Sequence, residues 1–265
     1  MEDKGIKLKK NYIGIAFDAI AKAGEIALRF EKDKIEFWNK SVGQPVTHAD
    51  LEINIFLKSF FKKYTPEFGW LSEESEDDNS RFEKKIFWCV DPIDGTRSYI
   101  NKRPEYVISI ALVSNTTPIF GLIFNPKTNE MFSAEKSLGA FCNKKRIKVS
   151  DNIDMNRCKV AISNSELKNI ENFLFFKNLE ILSMGSIAYK IALVAKGQVD
   201  IALSFTKKSD WDLAAASLIL EEAGGTISNI RNEKINYNTK KLNISSVLAA
   251  NPNIHKRLLN EIKQT

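Results

Sequence analysis

Histidine is the scarcest chemistry-bearing residue in this chain: among 265 residues only His48 and His255 occur. Histidine-clustered metal sites are therefore excluded, and a Ser-His-Asp hydrolase would need one of these two beside an activated serine, for which no GxSxG elbow exists. Cysteine is almost as sparse, with Cys89, Cys142 and Cys158. An odd number without CxxC spacing writes neither a disulfide framework nor a structural zinc site, and it fits a reducing, cytoplasmic setting. A GxxxxGK phosphate loop and a GxGxxG dinucleotide turn are both missing. No apolar run approaches the roughly 18 residues of a membrane span. The basic opening, residues 1–10, leads into a stretch broken by polar residues instead of a signal-peptide apolar block. No membrane partner is expected, and the chemistry must rest on carboxylates.

The remaining composition is that of a globular protein. With 43% hydrophobic and 27% charged residues the chain can bury a substantial core, which excludes disordered and collagen-like classes. Its net charge of +6 reads as a solvated basic surface in a lysine-rich chain, so nucleic acid is not the expected partner.

Ile13, Phe17, Ile20, Ala23, Ala27 and Phe30 recur at steps of three and four, the stripe of an amphipathic helix. After a polar stretch at 39–47, Ile53, Phe56, Leu57, Phe60, Phe61 and Tyr64 predict a second helix, with Asp50 in its first turn and Pro66 closing it. Strand-like runs at 68–71, 86–90, 107–113, 119–124 and 131–133 are separated by Asn115, Asn125-Pro126 and Asn129, and read as an antiparallel meander. From about residue 150, strand candidates at 160–163, 180–182 and 199–204 alternate with helical patterns at 166–176 and 187–195, an α/β unit. A helix over 211–223 ends at Gly224-Gly225, and a last one spans 252–262.

The strongest local signal is Trp88-Cys89-Val90-Asp91-Pro92-Ile93-Asp94-Gly95-Thr96-Arg97, an apolar strand running into two acids. Asp91 and Asp94 stand three apart with Pro92 between them, so both carboxylates can face one cation while the Ile93 carbonyl adds a third oxygen. Gly95 and Thr96 then open a helix whose free amides can hold a phosphate. Alone, this stretch is an Asp-Pro turn with Asp94 capping a helix. Two further acidic sites accompany it, Glu73 after the run Gly69-Trp70-Leu71-Ser72, and Asp212 at a helix start. Glu76, Asp77 and Asp78 read as a solvated acidic loop. Hard oxygen ligands without His or Cys select Mg²⁺, with Mn²⁺ as substitute, over zinc, and several acids imply more than one ion, an arrangement suited to phosphate chemistry. Trp70, Trp88 and Trp211 read as core anchors.

These residues resemble the inositol monophosphatase superfamily of Mg²⁺-dependent, lithium-sensitive phosphomonoesterases. Pro45-Val46-Thr47-His48-Ala49-Asp50 is similar to its PVTxAD segment, Ser72-Glu73-Glu74 to its xEE motif, Asp91 to Thr96 to DPxDGT, and Trp211 to Gly225 to WDxAAxxxIxxEAGG. Ala250-Asn251-Pro252 with His255 is similar to its closing segment. The resemblance implies a layered α/β/α/β/α sandwich, with an N-terminal α+β half (1–145) and a C-terminal α/β half (146–265) meeting at the metals. It implies that Glu73, Asp91 and the Ile93 carbonyl bind one ion, and Asp91, Asp94 and Asp212 a second, with Glu73 reaching a third. Thr96 and Asp50 would orient and deprotonate the attacking water, and the Gly95 and Thr96 amides would hold the phosphate. Lys40 resembles the family's loop lysine near the third ion, and Gly185-Ser186-Ile187 its substrate-contacting turn. On the residues alone, Thr96 is equally a helix-start residue, Asp50 a first-turn acid, Ser186 a cap and Lys40 a solvent-exposed side chain.

The implied partner is a small phosphorylated metabolite, with homodimerisation a family expectation. Members acting on inositol monophosphate carry a glutamate seven residues before the WD aspartate, where this chain has Phe205. The segments around Glu73, Arg103-Pro104 and Ser209-Asp210-Trp211-Asp212 resemble a branch of 3′(2′),5′-bisphosphate nucleotidases, so 3′-phosphoadenosine 5′-phosphate is the leading expected substrate. Inositol 1-phosphate, histidinol phosphate and a non-enzymatic binding role are the alternatives. Lys207 and Lys208 are placed to meet a second phosphate, or are surface lysines.

Overall fold

The computed structural model describes residues 10–41, 43–170 and 173–263; most of the basic opening lies outside them. α1 (Lys10–Phe30) and α2 (His48–Tyr64) bracket a hairpin of β1 (Phe37–Ser41) and β2 (Gln44–Thr47). The hairpin occupies the stretch read as merely polar; β1 is exposed along its whole length, so it lacks the apolar alternation that marks a strand. Next come β3 (Gly69–Ser72), β4 (Ile86–Asp94), the short α3 (Thr96–Ile100), β5 (Val107–Ser114), β6 (Thr117–Asn125), β7 (Glu130–Glu135), β8 (Gly139–Cys142) and β9 (Lys145–Ile147). These seven strands form one sheet in the order β3-β4-β5-β6-β7-β8-β9. The meander expectation holds from β4 onward, but β3 pairs with β4 in parallel, because the loop and 3₁₀ turn between them carry the chain back to the same end.

The second half holds β10 (Lys159–Ile162), α4 (Leu167–Ile170), β11 (Glu180–Ser183), α5 (Ile187–Ala195), β12 (Ile201–Ser204), α6 (Asp210–Glu222), β13 (Thr226–Ser228), β14 (Val247–Ala250) and α7 (Pro252–Lys263). Its five-stranded sheet runs β11-β10-β12-β14-β13 and is mixed, since β14 pairs antiparallel with both β12 and β13. The helix expected over 166–176 is a correction: only Leu167–Ile170 is α-helical, flanked by 3₁₀ turns, and residues 171 and 172 lie outside the described set. At its start Glu166 is drawn inward to Ser204 and the backbone of Phe205 and Thr206 instead of lying on a helix surface.

Side-chain alternation along the strands sorts the core into layers. In β4, Trp88 and Val90 face α1 and α2, whereas Phe87 and Cys89 face α5 and α6. In β12 and β14, Ala202, Val247 and Ala249 also face α5 and α6, while Ile201, Leu203, Leu248 and Ala250 pack on α7. The molecule is therefore an α/β/α/β/α sandwich with α5 and α6 as its central layer. Gly121 shows how closely α6 sits on the seven-stranded sheet: a Cβ there would lie 2.8 Å from the Ala215 carbonyl oxygen. Of the three tryptophans read as core anchors, Trp88 is one, stacked on Phe61 at 4.1 Å and donating to Thr65. Trp70 and Trp211 are only partly buried, and Trp211 lines the cavity described next. Among the described residues no helix is long and apolar enough to cross a membrane.

Candidate metal centre

Residues three apart on a regular strand point to opposite faces, so Asp91 and Asp94 converge only because β4 is irregular. Its pairing with β5 runs from Asp91 opposite Ser109 to Asp94 opposite Val107, one extra residue that makes a β-bulge. Pro92, which has no N–H to leave unpaired, sits inside it. β4 thus continues through Asp94, where the sequence suggests only a turn. Asp91, Asp94 and Asp212 each place a carboxylate oxygen within 4.8 Å of the other two.

Helix starts hold the acids in place. Asp94 Oδ2 accepts from Ser186 Oγ and from Ala188 N, both at 2.6 Å, at the entrance to α5. Asp212 Oδ2 accepts from Ser209 N at 2.6 Å at the start of α6. Asp50, at the start of α2, closes a reciprocal cap with Thr47: Thr47 N donates to Asp50 Oδ2 at 2.8 Å and Asp50 N to Thr47 Oγ1 at 3.3 Å. Thr96 Oγ1 lies 3.3 Å from Asp50 Oδ1 and 3.1 Å from the Ile93 carbonyl, so its single proton has two acceptors. The cap roles and the clustering coexist on the same residues.

Asp91 is the least compensated. Its Oδ1 accepts from Ile93 N at 3.0 Å, but Oδ2 is buried with no hydrogen-bond partner. Burial, then Glu73, Asp94 and Asp212, pushes its carboxyl well above the usual range. Burial likewise lifts Asp50 to about 7, and burial with Asp94 and Glu73 lifts Asp212 to about 8. Asp94 and Glu73 are raised too, chiefly by burial, against the Ser186 hydroxyl and the Lys40 ammonium respectively. So many crowded acids, one with a buried oxygen that accepts no hydrogen bond, make a donor set suited to hard divalent cations.

Beside the trio opens a cavity of about 430 Å³. Glu73, Asp94 and Asp212 form its acidic side, Lys40, Lys207 and Lys208 supply positive charge, and Ser163, Ser186 and Ile187 line another wall. Lys40 reaches Glu73 at 3.0 Å and Glu74 at 2.5 Å. Gly185 is packed so tightly that a Cβ would lie 2.2 Å from Ser98 Oγ, and Gly95 has φ +97° with a Cβ position 2.8 Å from the Glu105 carbonyl. Ser186 adopts φ +53°, rare for a residue with a side chain, in order to aim its hydroxyl at Asp94.

Sequence reasoning missed Lys190, fully buried and donating to Ser163 Oγ at 2.7 Å behind the cavity wall. Burial lowers it to about 8, against the pull of Glu166 and Asp94. Its signal was present: a lone lysine in an otherwise apolar helix. One reading is corrected. Asp77 is not a plain solvated acid, since it pairs with the buried Arg81 at 3.0 Å. Asp210, which flanks the WD pair, is buried and faces Asn238. Phe205 stacks on Phe173, ring centres 6.0 Å apart. His255 is buried against Ser228 at 3.0 Å, outside the cavity.

The sequence profile described as "Inositol monophosphatase family" matches residues 8–265. The chain is 29% identical over 267 residues to the "Fructose-1,6-bisphosphatase/inositol-1-monophosphatase" of Aquifex aeolicus, covering 96% of each protein. It is 29% identical over 235 residues to the "Nus factor SuhB" of Xylella fastidiosa, covering 84% of each. In structure it is similar to the extragenic suppressor protein suhB of Bartonella henselae, with a TM-score of 0.86, 27% identity and coverage of 96% of this chain and 99% of that one.

Proposed function

The chain belongs to the inositol monophosphatase family of phosphatases, and on that premise we propose that it is a Mg²⁺-dependent hydrolase of small phosphate monoesters, working at the Asp91–Asp94–Asp212 cluster. The observation that carries the reading is the buried, partnerless Asp91 Oδ2 among carboxylates within 4.8 Å of one another. The donors fit the ion, being oxygens only, without His or Cys. Glu73, Asp91, the Ile93 carbonyl, Asp94 and Asp212 would hold two or three Mg²⁺, or Mn²⁺ in their place. Bound there, such ions supply Lewis-acid polarisation of the phosphoryl group and make water acidic enough to lose a proton at neutral pH.

The chain's own residues do the rest. Thr96 Oγ1 orients the attacking water and passes a proton toward Asp50, whose carboxyl is raised above its ordinary range by burial and accepts it. Ser186 Oγ and the Ala188 amide hold Asp94 still, and the Ser209 amide does the same for Asp212. The Gly95 and Thr96 amides, with the 185–187 turn, receive the phosphate.

For the leaving group, Phe205 in place of the hydroxyl-reading glutamate speaks against inositol. Lys207 and Lys208 at the cavity, with Lys190 behind Ser163, favour an ester carrying a second anionic group, 3′-phosphoadenosine 5′-phosphate foremost. The two activities in the name of the Aquifex relative favour inositol 1-phosphate as the second reading and add fructose 1,6-bisphosphate. Phosphate release with Mg²⁺, with and without EDTA, is measured on these three esters and histidinol phosphate. EDTA-sensitive release with preference for the nucleotide is expected. Preference for another ester overturns the substrate, and no cation-dependent release from any of them overturns the enzymatic reading in favour of a binding protein.

A further inference from the structure

Arg81 ties the stretch that follows Glu73 to the loop before β14, outside the cavity. This residue lies in the 3₁₀ turn Ser80–Glu83, between the Glu73-Glu74 pair and β4, and is 0% exposed although Ser80 and Phe82 beside it are exposed. Its Nε donates to Asp77 Oδ1 and Oδ2 at 3.2 Å each, and Nη2 donates to Asp77 Oδ2 at 3.0 Å. The far side of the guanidinium reaches the loop before β14: Nη1 donates to Asn238 Oδ1, and Nη2 to the Thr239 carbonyl at 3.1 Å. Asn238 N in turn donates to Asp210 Oδ2 at 2.6 Å. A buried guanidinium is tolerated only when its donors are met, and here carboxylate, amide and carbonyl oxygens meet them.

The geometry at the start of α6 gives this linkage a consequence for the site. Asp210 and Asp212 share the first turn, and two residues of α-helix rotate by about 200°, so their side chains leave the helix on nearly opposite sides. Asp210 is held by Asn238 on the side away from the cavity, which leaves Asp212 directed into it, against Asp91 and Asp94. Among the described residues the Asp212 carboxylate is held by a single hydrogen bond, from the Ser209 amide. The turn is held locally by its own cap, by the Lys208–Ile244 backbone pair and by the Ser109 hydroxyl on the Trp211 carbonyl, and the loop that Arg81 grips adds a hold from outside, on Asp210.

We propose that Arg81 is a positioning residue for the cation site: through Asn238 it fixes the first turn of α6 so that Asp212 meets Asp91 and Asp94. This rests on the metal reading above. Losing the grip lets the first turn rotate and weakens cation binding, while the residues that move protons, Thr96 and Asp50, stay in place on other elements.

The test uses Mn²⁺ alone as probe, titrated calorimetrically into the metal-free full-length protein without substrate. Arg81→Met is expected to weaken Mn²⁺ binding about tenfold, the usual scale for losing a group that orients a ligand. The Mg²⁺ concentration for half-maximal activity rises in parallel, and kcat at saturating Mg²⁺ stays close to wild type. Ile254→Ala, a cavity in the outer layer under α7, controls for lost stability. Should Arg81→Met fail to fold, Asn238→Ala carries the test, since it removes one of the two acceptors Arg81 has in this loop and keeps the amide that holds Asp210; a smaller loss of Mn²⁺ affinity is then expected. Absence of Mn²⁺ binding in the wild type overturns the metal reading. Wild-type binding that the variants leave unchanged, or that Ile254→Ala weakens equally at the same loss of melting temperature, overturns the role of Arg81 alone.

Discussion

Asp91 and Thr96 separate two jobs at the residue scale. Asp91 has one oxygen spent on the Ile93 amide and one buried without a partner, so its charge is tolerated only for what it can bind. Asp91→Asn removes that charge and supplies an amide donor facing Asp94 and Asp212. Turnover is expected to vanish, while the cation-free protein gains stability on the order of 1 kcal/mol over wild type and so melts at a higher temperature. Phosphate release and thermal melts in EDTA at pH 7.5 check both halves, and unchanged turnover removes Asp91 from the metal assignment. Thr96→Val keeps the shape but removes the hydroxyl between Asp50 and the Ile93 carbonyl. A loss of about 10²-fold or more in kcat is expected, with Mn²⁺ binding intact, as for removal of a proton-transfer group. A weakened Mn²⁺ titration with normal kcat would instead make Thr96 a structural prop.

Elements determine how much of this is visible in the chain alone. The amphipathic stripes of α1 and α2, the β4–β7 meander and the α6 helix with its Gly224 stop were legible because each repeats its own period for several turns or pleats. The DPxDGT and WD segments were legible as acids in a chain without competing ligands. The bulge was not, since nothing but Pro92 marks it, and yet it is what brings Asp91 and Asp94 to one side. Neither was Arg81, because its partners Asn238 and Thr239 lie more than 150 residues away in sequence. The 166–176 pattern misled because apolar spacing there serves short turns packed under the five-stranded sheet. The contact between α6 and β6 makes a further element-level expectation. Gly121→Val would push α6 off the sheet at Ala215 and displace Asp212 with it. A destabilisation of about 1–3 kcal/mol is expected in denaturant unfolding, together with weaker Mn²⁺ binding. Destabilisation without any change in Mn²⁺ affinity would show that α6 carries Asp212 back to its place after repacking.

Across the whole molecule the site is assembled from parts that do not share a sheet: Asp50 from α2, Asp91 and Asp94 from β4, and Asp212 from the central helical layer. The sandwich therefore concentrates several partly buried acids at its middle, and its stability without cations must depend on pH. For Glu73, Asp50, Asp91, Asp94 and Asp212 the folded state holds the proton more tightly than the unfolded state, because each is raised above its ordinary value. Stability from these groups is whole below the unfolded values near pH 4 and is lost as pH rises through the folded ones, about 7 for Asp50 and about 8 for Asp212. Divalent cations act in the opposite sense, since they bind only the deprotonated acids of the folded protein. At a hundred times its dissociation constant a cation adds about 2.7 kcal/mol, or roughly 5–10 °C for a chain of this size. The difference between melting temperatures in Mg²⁺ and in EDTA is thus expected to be small at pH 5.5 and to widen steadily to pH 8. Asp91→Asn should flatten that dependence. A difference that stays constant across this range would mean that the acids titrate alike in the folded and unfolded chain, and the crowding of charge at the junction would then have no energetic part in the fold.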